Sequence, residues 1–335
     1  MVQSQPPVLP PTPLQRLIRL LNTERRDIGY VYLYAIVAGL ISLSLPLGIQ
    51  AVFNLVSGGM VFSSVYVLIG LVVIGVVISG FILVGQQVLV EVLQQRIFVK
   101  AAFEFTYRLP RIQPETLEGS YPPELMNRFF DVLTIQKGLP KLLIDLTAAV
   151  VQILFGIILL SFYHPVFIVF GLVTLLVVGG LIGLFGSSAL KTSLSESKYK
   201  YKVVAWLEDM ASRLPALRQS GQTRDLMTHT DEYVAQYIAY RNDHFKVLKR
   251  FYFSAVAFKT LITGGLLILG TTLVVGREMT LGQFVAAELV IVLITSSVDK
   301  LIMGIDVVYD LMTAAEKIGQ VTDLPLVDEH MSMKS

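Results

Sequence analysis

Six apolar runs, each long enough to cross a lipid bilayer, constrain this chain more than any other feature. A helix rises about 1.5 Å per residue, so about 20 apolar residues span a hydrocarbon core of about 30 Å. The runs are roughly Tyr30 to Val56, Phe62 to Val88, Leu142 to Phe162, Val166 to Leu190, Phe251 to Val275 and Leu281 to Met303. Pro46 and Gly48 predict a kink in the first. Ser57-Gly58-Gly59 is an uncharged turn into the second, and His164-Pro165 a very tight turn into the fourth. A soluble fold has no place for these runs. Residues are 54% hydrophobic and 16% charged, against about 45–50% and about 25% in a soluble domain. The expected fold is an all-α membrane protein with six transmembrane helices.

The loops fix an expected orientation. Those joining spans one to two, three to four and five to six are short, with Arg277 as their only Lys or Arg. The loop between spans two and three carries Arg96, Lys100, Arg108, Arg111, Arg128, Lys137 and Lys141, and the loop between four and five is equally basic. The positive-inside rule puts both long loops in the cytoplasm. Both termini follow them there, because the span number is even and Arg16, Arg19, Arg25 and Arg26 precede span one. With no eukaryotic targeting feature, the expected home is a bacterial inner (cytoplasmic) membrane. Residues 1–13 are proline-rich and polar, with no apolar core or cleavage site, and read as a disordered leader. Residues 14–27 read as an amphipathic surface helix with Arg16 and Arg19 on its polar side. Residues 28–320 form the membrane domain and 321–335 a linker or tail.

The two basic loops do not read as loops. Glu91 to Arg108, Lys191 to Leu214 and Thr228 to Arg250 contain neither glycine nor proline, and they are rich in helix formers. The spans therefore extend as helices into the cytosol, about 30 Å each. Breaks fall at Pro110 to Pro123 and Pro215 to Thr223. Two long hairpins with short tips need a soluble partner to dock on them.

Several chemistries are excluded. The chain has no cysteine, so disulfides, thiol catalysis and Cys-ligated metal are ruled out. A net charge of +2 without a basic, aromatic-interleaved patch gives no case for nucleic acid. His164, His229, His244 and His330 have no paired ligand spacing, so no metal is expected. No nucleophile has a neighbouring base, so no catalytic residue is assigned. Charges inside spans are costly and therefore notable: Lys259, Glu288, Asp299 and Lys300. Lys259 reads as the partner of Asp299 in an internal strut, with Lys300 reaching to the interface. Glu288 has two open readings, lining a water-filled cavity or making a structural hydrogen bond. Gln86, Gln87, Glu91 and Asp145 lie near the inner interface and read as solvated.

Local motifs add a resemblance. Gly276-Arg277-Glu278-Met279-Thr280-Leu281-Gly282-Gln283-Phe284-Val285-Ala286 is similar to the outer turn between spans five and six of type I ABC exporters. Glu124-Leu125-Met126-Asn127-Arg128 with Asp131 resembles the segment after that family's first coupling helix. Glu208 with Leu217-Arg218 and Gly221 resembles the second coupling region. Ala314-Ala315-Glu316-Lys317-Ile318 with Asp323-Leu324-Pro325 resembles the linker leading to the ATPase domain. Pro122-Pro123 departs from the family, where a glycine is usual. The resemblance spans about Leu14 to Val327 and implies an ABC-exporter-type transmembrane domain that dimerises, as homodimer or heterodimer, in membrane lipid. It implies ATPase-coupling tips at Gln113, Pro114, Glu115 and Tyr121, and at Ser212, Arg213, Leu217, Arg218 and Gly221. No G-x-x-x-x-G-K-[ST] loop and no LSGGQ-like signature occurs in the sequence. No cofactor is therefore expected on this chain, and ATP with Mg is expected on a separate ABC ATPase subunit or domain. The rival expectation is a degenerate, non-transporting half that scaffolds a larger membrane complex.

Overall fold

The computed structural model describes residues 11–59, 63–117, 122–220 and 223–327. Twelve α-helices account for nearly all of them, and no strand forms among the described residues. In chain order they are α1 Pro13–Asn22, α2 Arg25–Ser42, α3 Ser44–Ser57, α4 Ser63–Arg108, α5 Pro122–Asn127 and α6 Asp131–Pro140. Then come α7 Thr147–Tyr163, α8 Val166–Ser212, α9 Leu214–Ser220, α10 Thr223–Val275, α11 Leu281–Met303 and α12 Ile305–Thr322. Six helical stretches are long and apolar enough to cross a membrane: Arg25–Ser57, Ser63–Arg111, Leu125–Tyr163, Val166–Ser212, Arg224–Val275 and Leu281–Thr322. In the most apolar part of α4 no residue is buried within the chain. A wholly exposed apolar helix requires lipid or another chain around it.

Local chemistry shapes the spans. The first breaks at Leu43, between α2 and α3, and not at Pro46 or Gly48 as the kink expectation had it. Pro46 has no N–H for the carbonyl of Ser42 and its ring crowds that carbonyl, so the disturbance appears one turn upstream. The Ser42 hydroxyl turns back to the Gly39 carbonyl at 2.7 Å. The third span carries Pro140 inside it, and the helix absorbs it by a π-helical turn over Lys141–Leu146 before α7 resumes. At the tight-turn end, α11 opens on a capping box: Gln283 N–H donates to the Thr280 hydroxyl at 3.1 Å and Thr280 N–H to the Gln283 side chain at 2.9 Å. Arg277 sits before it in the left-handed region (φ 63°). Gly282 follows, and a Cβ there would strike the Asn54 side chain of α3. This close approach supplies a physical reason for the glycine in Thr-Leu-Gly.

At the opposite, charged end the helices run on past the apolar segments. The pair α8 and α10 pack along their lengths, and α12 packs on α6, α8 and α1. The α1–α12 contact is a clasp. The Arg16 guanidinium bonds Glu316 and, at 2.9 Å, Asp323, and lies over Gly319, where any side chain would collide with it. A second cluster ties α4 to the α1–α2 corner. Arg96 donates to Glu24 at 2.6 Å and to Asp27 at 2.7 Å, and Lys100 also bonds Glu24.

Glu24 is only 5% exposed. Burial alone raises its pKa, but the hydrogen-bonded Lys100 and Arg96 outweigh that and hold it below its ordinary value. A depressed native pKa gives stability that is full above the ordinary carboxylate range and is lost as pH falls through the native value. Thermal stability should therefore drop as the solution is acidified below the ordinary value of 4.5. Glu24→Gln should cost about 1–3 kcal/mol at pH 7, since two cations lose their shared anion, and should flatten that acid limb. Unfolding curves of both proteins at pH 7 and pH 4 test this; an unchanged acid limb in the variant refutes it.

Candidate functional site

Two features stand out against the apolar spans: a polar pocket inside the bundle, continued by an open row on α11, and the two hairpin tips. The pocket, about 290 Å³, lies between α2, α4, the third span and α11. Its polar lining comes from Ser42, Ser79, Gln86, Asp145, Gln152 and Lys300. Gln86 is buried, 2% exposed, and donates to the Val31 carbonyl at 2.9 Å. That corrects its reading as a solvated residue: α2 covers it, and a backbone acceptor replaces water. The Ser297 hydroxyl donates to Gln152 at 2.8 Å, tying α11 to α7 beside the same pocket. Small residues such as Ala35 and Ala38 leave the space open, and Gly39 lets α7 approach closely, since a Cβ there would strike the Val151 side chain.

On α11, Glu288, Val292, Ser296 and Lys300 recur every fourth residue and so share one side of the helix. Val292, Ser296 and Lys300 are exposed and Glu288 is half-buried, while the neighbouring Val290, Ile291, Ile294, Ser297 and Val298 are packed inside. Among the described residues the Glu288 carboxylate has no hydrogen-bond partner. Lys259 of α10 lies 2.7 Å from Asp299, a pair that remains partly exposed. Lys300 faces the polar pocket. A row with two charges and a hydroxyl, largely uncovered by the rest of the chain, is costly against hydrocarbon and suits water.

The tips sit at the ends of the helical extensions. In the first, Leu109–Arg111 and Pro114–Leu117 form short 3-10 turns, and Pro114 and Glu115 are exposed. Gln113 is held from an unexpected direction. Its N–H donates to the Pro325 carbonyl at 3.1 Å, its side chain to the Leu326 carbonyl at 3.2 Å, and Val327 N–H to the Arg111 carbonyl at 2.8 Å. Ile112 and Leu326 thus form an isolated antiparallel bridge, a strap from the segment after α12 to the first tip. In the second tip Ser212 caps back to the Asp209 carbonyl at 2.8 Å and Arg213 pairs with Asp209. Leu217 and Arg218 lie on the short helix α9, where Pro215 falls in the first turn, the position that tolerates it. Tyr121 and Gly221 lie outside the described residues. The two hairpins are joined just behind their tips: Asn127 donates to Glu208, and buried Asp131 accepts from Tyr201.

Sequence reasoning missed the strap, the Arg16 clasp and the polar pocket. The residues were visible, but nothing in the local pattern says that Gln113 meets Leu326 or Arg16 meets Asp323. A faint signal existed for the pocket, in the small residues of span one facing Ser79 and Gly80.

No curated protein matches the chain in sequence. The fold of six membrane-crossing helices with long helical extensions, capped at the last turn by Thr280-Leu281-Gly282, agrees with a family comparison: the ABC transporter transmembrane region matches residues 28–298, and this integral membrane protein belongs to that family.

Proposed function

We propose that this chain is the membrane subunit of an ABC-exporter-type transporter, powered by an ATPase on another polypeptide. The observation that carries the reading is the pairing of an uncovered polar row inside the spans with two exposed tips at the end of rigid helices. The tips would seat in grooves of ATPase domains, on the cytoplasmic side where the basic loops put them. Closure of those domains swings the hairpins as rigid bodies, and the bundle passes between two packings that open its polar interior to one side or the other. The first tip and the last span move together in this scheme, because the strap joins Gln113 to the segment after α12. The subunit works as a dimer, homo- or heteromeric, in a bacterial inner membrane.

Affinity purification of the tagged full chain in mild detergent, with mass spectrometry of what remains bound, tests the proposal. A stoichiometric ABC ATPase is the expected result. A different membrane complex in its place, with no ATPase, would establish the scaffold reading instead.

A further inference from the structure

The polar pocket between α2, α4, the third span and α11 holds two charges that the rest of the chain leaves unanswered. Asp145 enters it from the π-helical turn before α7, and Lys300 enters it from α11. Both are exposed, and among the described residues neither side chain has an ion pair or a hydrogen bond. The helices α2 and α4 bring no charge to the wall. Neighbouring charges do not cancel the two. Lys259 and Asp299 answer each other at 2.7 Å, and Lys141, one turn before Asp145, lies outside the lining. Opposite charges within apolar spans ordinarily pair, since each alone is costly there. Here they share a pocket without touching.

The neutral groups around them are also only partly used. The side-chain oxygen of Gln152 takes the Ser297 hydroxyl, which leaves its amide N–H groups free to donate. Gln86 donates its amide to the Val31 carbonyl, which leaves its side-chain oxygen free to accept. The Ser79 hydroxyl has no partner among the described residues. Free donors and free acceptors thus line one space of about 290 Å³, close to the ~300 Å³ at which small-molecule sites begin. An ion of either sign would satisfy one of the two charges and be repelled by the other.

We propose that this pocket binds a zwitterion, its ammonium on Asp145 and its carboxylate or phosphate on Lys300 and the Gln152 amide. Such a ligand has no net charge and answers both side chains at once, each by a charge-assisted hydrogen bond. Two sources share that chemistry. One is the headgroup of a zwitterionic lipid. Exposed Leu83 lines the pocket, and the most apolar part of its helix, α4, is bare and open to acyl chains. The other is a free zwitterionic solute of amino-acid size. Calling the ligand a transported substrate rests on the transporter reading; its binding does not.

The test uses the purified full chain in a non-ionic maltoside, titrated calorimetrically. The lipid probes are dioctanoyl phosphatidylethanolamine, its anionic phosphatidylglycerol analogue and a cationic trimethylammonium analogue. The free probes are β-alanine, propionate and propylamine. At least one zwitterion is expected to bind about ten-fold or more tighter than its singly charged analogues. Asp145→Asn and Lys300→Gln should each weaken it by a similar factor, while Lys246→Ala, which removes an exposed cation of α10 outside the pocket, leaves it unchanged. Selectivity should also shift, toward the anionic analogue in Asp145→Asn and toward the cationic one in Lys300→Gln. Neither side chain holds a contact within the chain, so both variants should fold, as melting followed by circular dichroism checks. Phosphatidylethanolamine binding alone makes the ligand a lipid headgroup; β-alanine binding, with or without the lipid, makes it a site that needs no acyl chain. Three results would overturn the proposal: no binding of either zwitterion to the wild type, a singly charged analogue bound as tightly as its zwitterion, or unchanged affinity in either pocket variant. No ATPase is present in this titration, so failure here leaves the coupling reading standing, and absence of an ATPase partner leaves this result standing.

Discussion

A chain carrying Glu115→Ala, Leu217→Ala and Arg218→Ala is expected to insert and fold normally yet to lose substrate stimulation of the proposed ABC ATPase, by about ten-fold or more. Glu115 and Arg218 are exposed and Leu217 is half-buried, and all three lie on short helical segments at the ends of long helices. Surface substitutions of this kind change folding stability by about 0.5 kcal/mol or less. At an interface the same truncations remove anchoring contacts, where single residues contribute about 2 kcal/mol or more. The helices α4, α8 and α10 give the tips their leverage: each runs unbroken from the apolar zone into the extensions. Under the proposed function, motion at a tip would be carried along these helices to the spans. Substrate-dependent ATPase activity of the reconstituted complex, with helical content from circular dichroism as the folding control, decides the matter. Retained stimulation in a properly inserted variant would remove the coupling role from these tips.

The second large effect is expected in the packing of the charged end. Leu311 of α12 is fully buried and lies against Gly138 of α6, where an added Cβ would come within 2.7 Å of Leu311 Cδ2 and 2.9 Å of its Cγ. Leu311→Ala should cost about 2–5 kcal/mol, the transfer free energy of the lost methyls plus the cavity left behind. Gly138→Ala alone should cost about 1–3 kcal/mol by overpacking. Combined, the new methyl enters the space that Leu311 vacates, so the double variant should lose less than the sum of the two. These residues lie beyond the longest apolar runs of their helices, so magnitudes measured in water are the relevant ones. Denaturant unfolding followed by circular dichroism gives the four values of the cycle. Strict additivity would mean that α6 and α12 relax apart independently and do not share a fixed contact.

Such a contact belongs to a class of features that no local pattern discloses. The apolar runs were legible because transfer into lipid depends on composition within about 20 residues. The hairpin extensions were legible for a similar reason: helix formers without interior glycine propagate a helix whatever lies beside it. Thr280-Leu281-Gly282 carried a turn, a cap and a close approach in three adjacent letters. Even the break at Leu43 follows from local chemistry, read one turn upstream of Pro46 and not at the proline itself.

The site was legible only in part. Lys259, Glu288, Asp299 and Lys300 announce themselves as charges in apolar spans, and the tips as interruptions in helical runs. Gln86 did not, because whether a glutamine near an interface meets water or a carbonyl depends on which helix covers it. Here α2 does, through Val31. The strap from Leu326 to the first tip and the clasp of Arg16 on Glu316 and Asp323 join residues more than two hundred positions apart. Sequence alone determined that this chain lives in a membrane, how many times it crosses and where its hairpins turn, since each depends on solvent transfer and backbone propensity over short stretches. Tertiary structure alone decided which polar groups are satisfied and which row of α11 stays open, since each depends on helices brought together from distant parts of the chain.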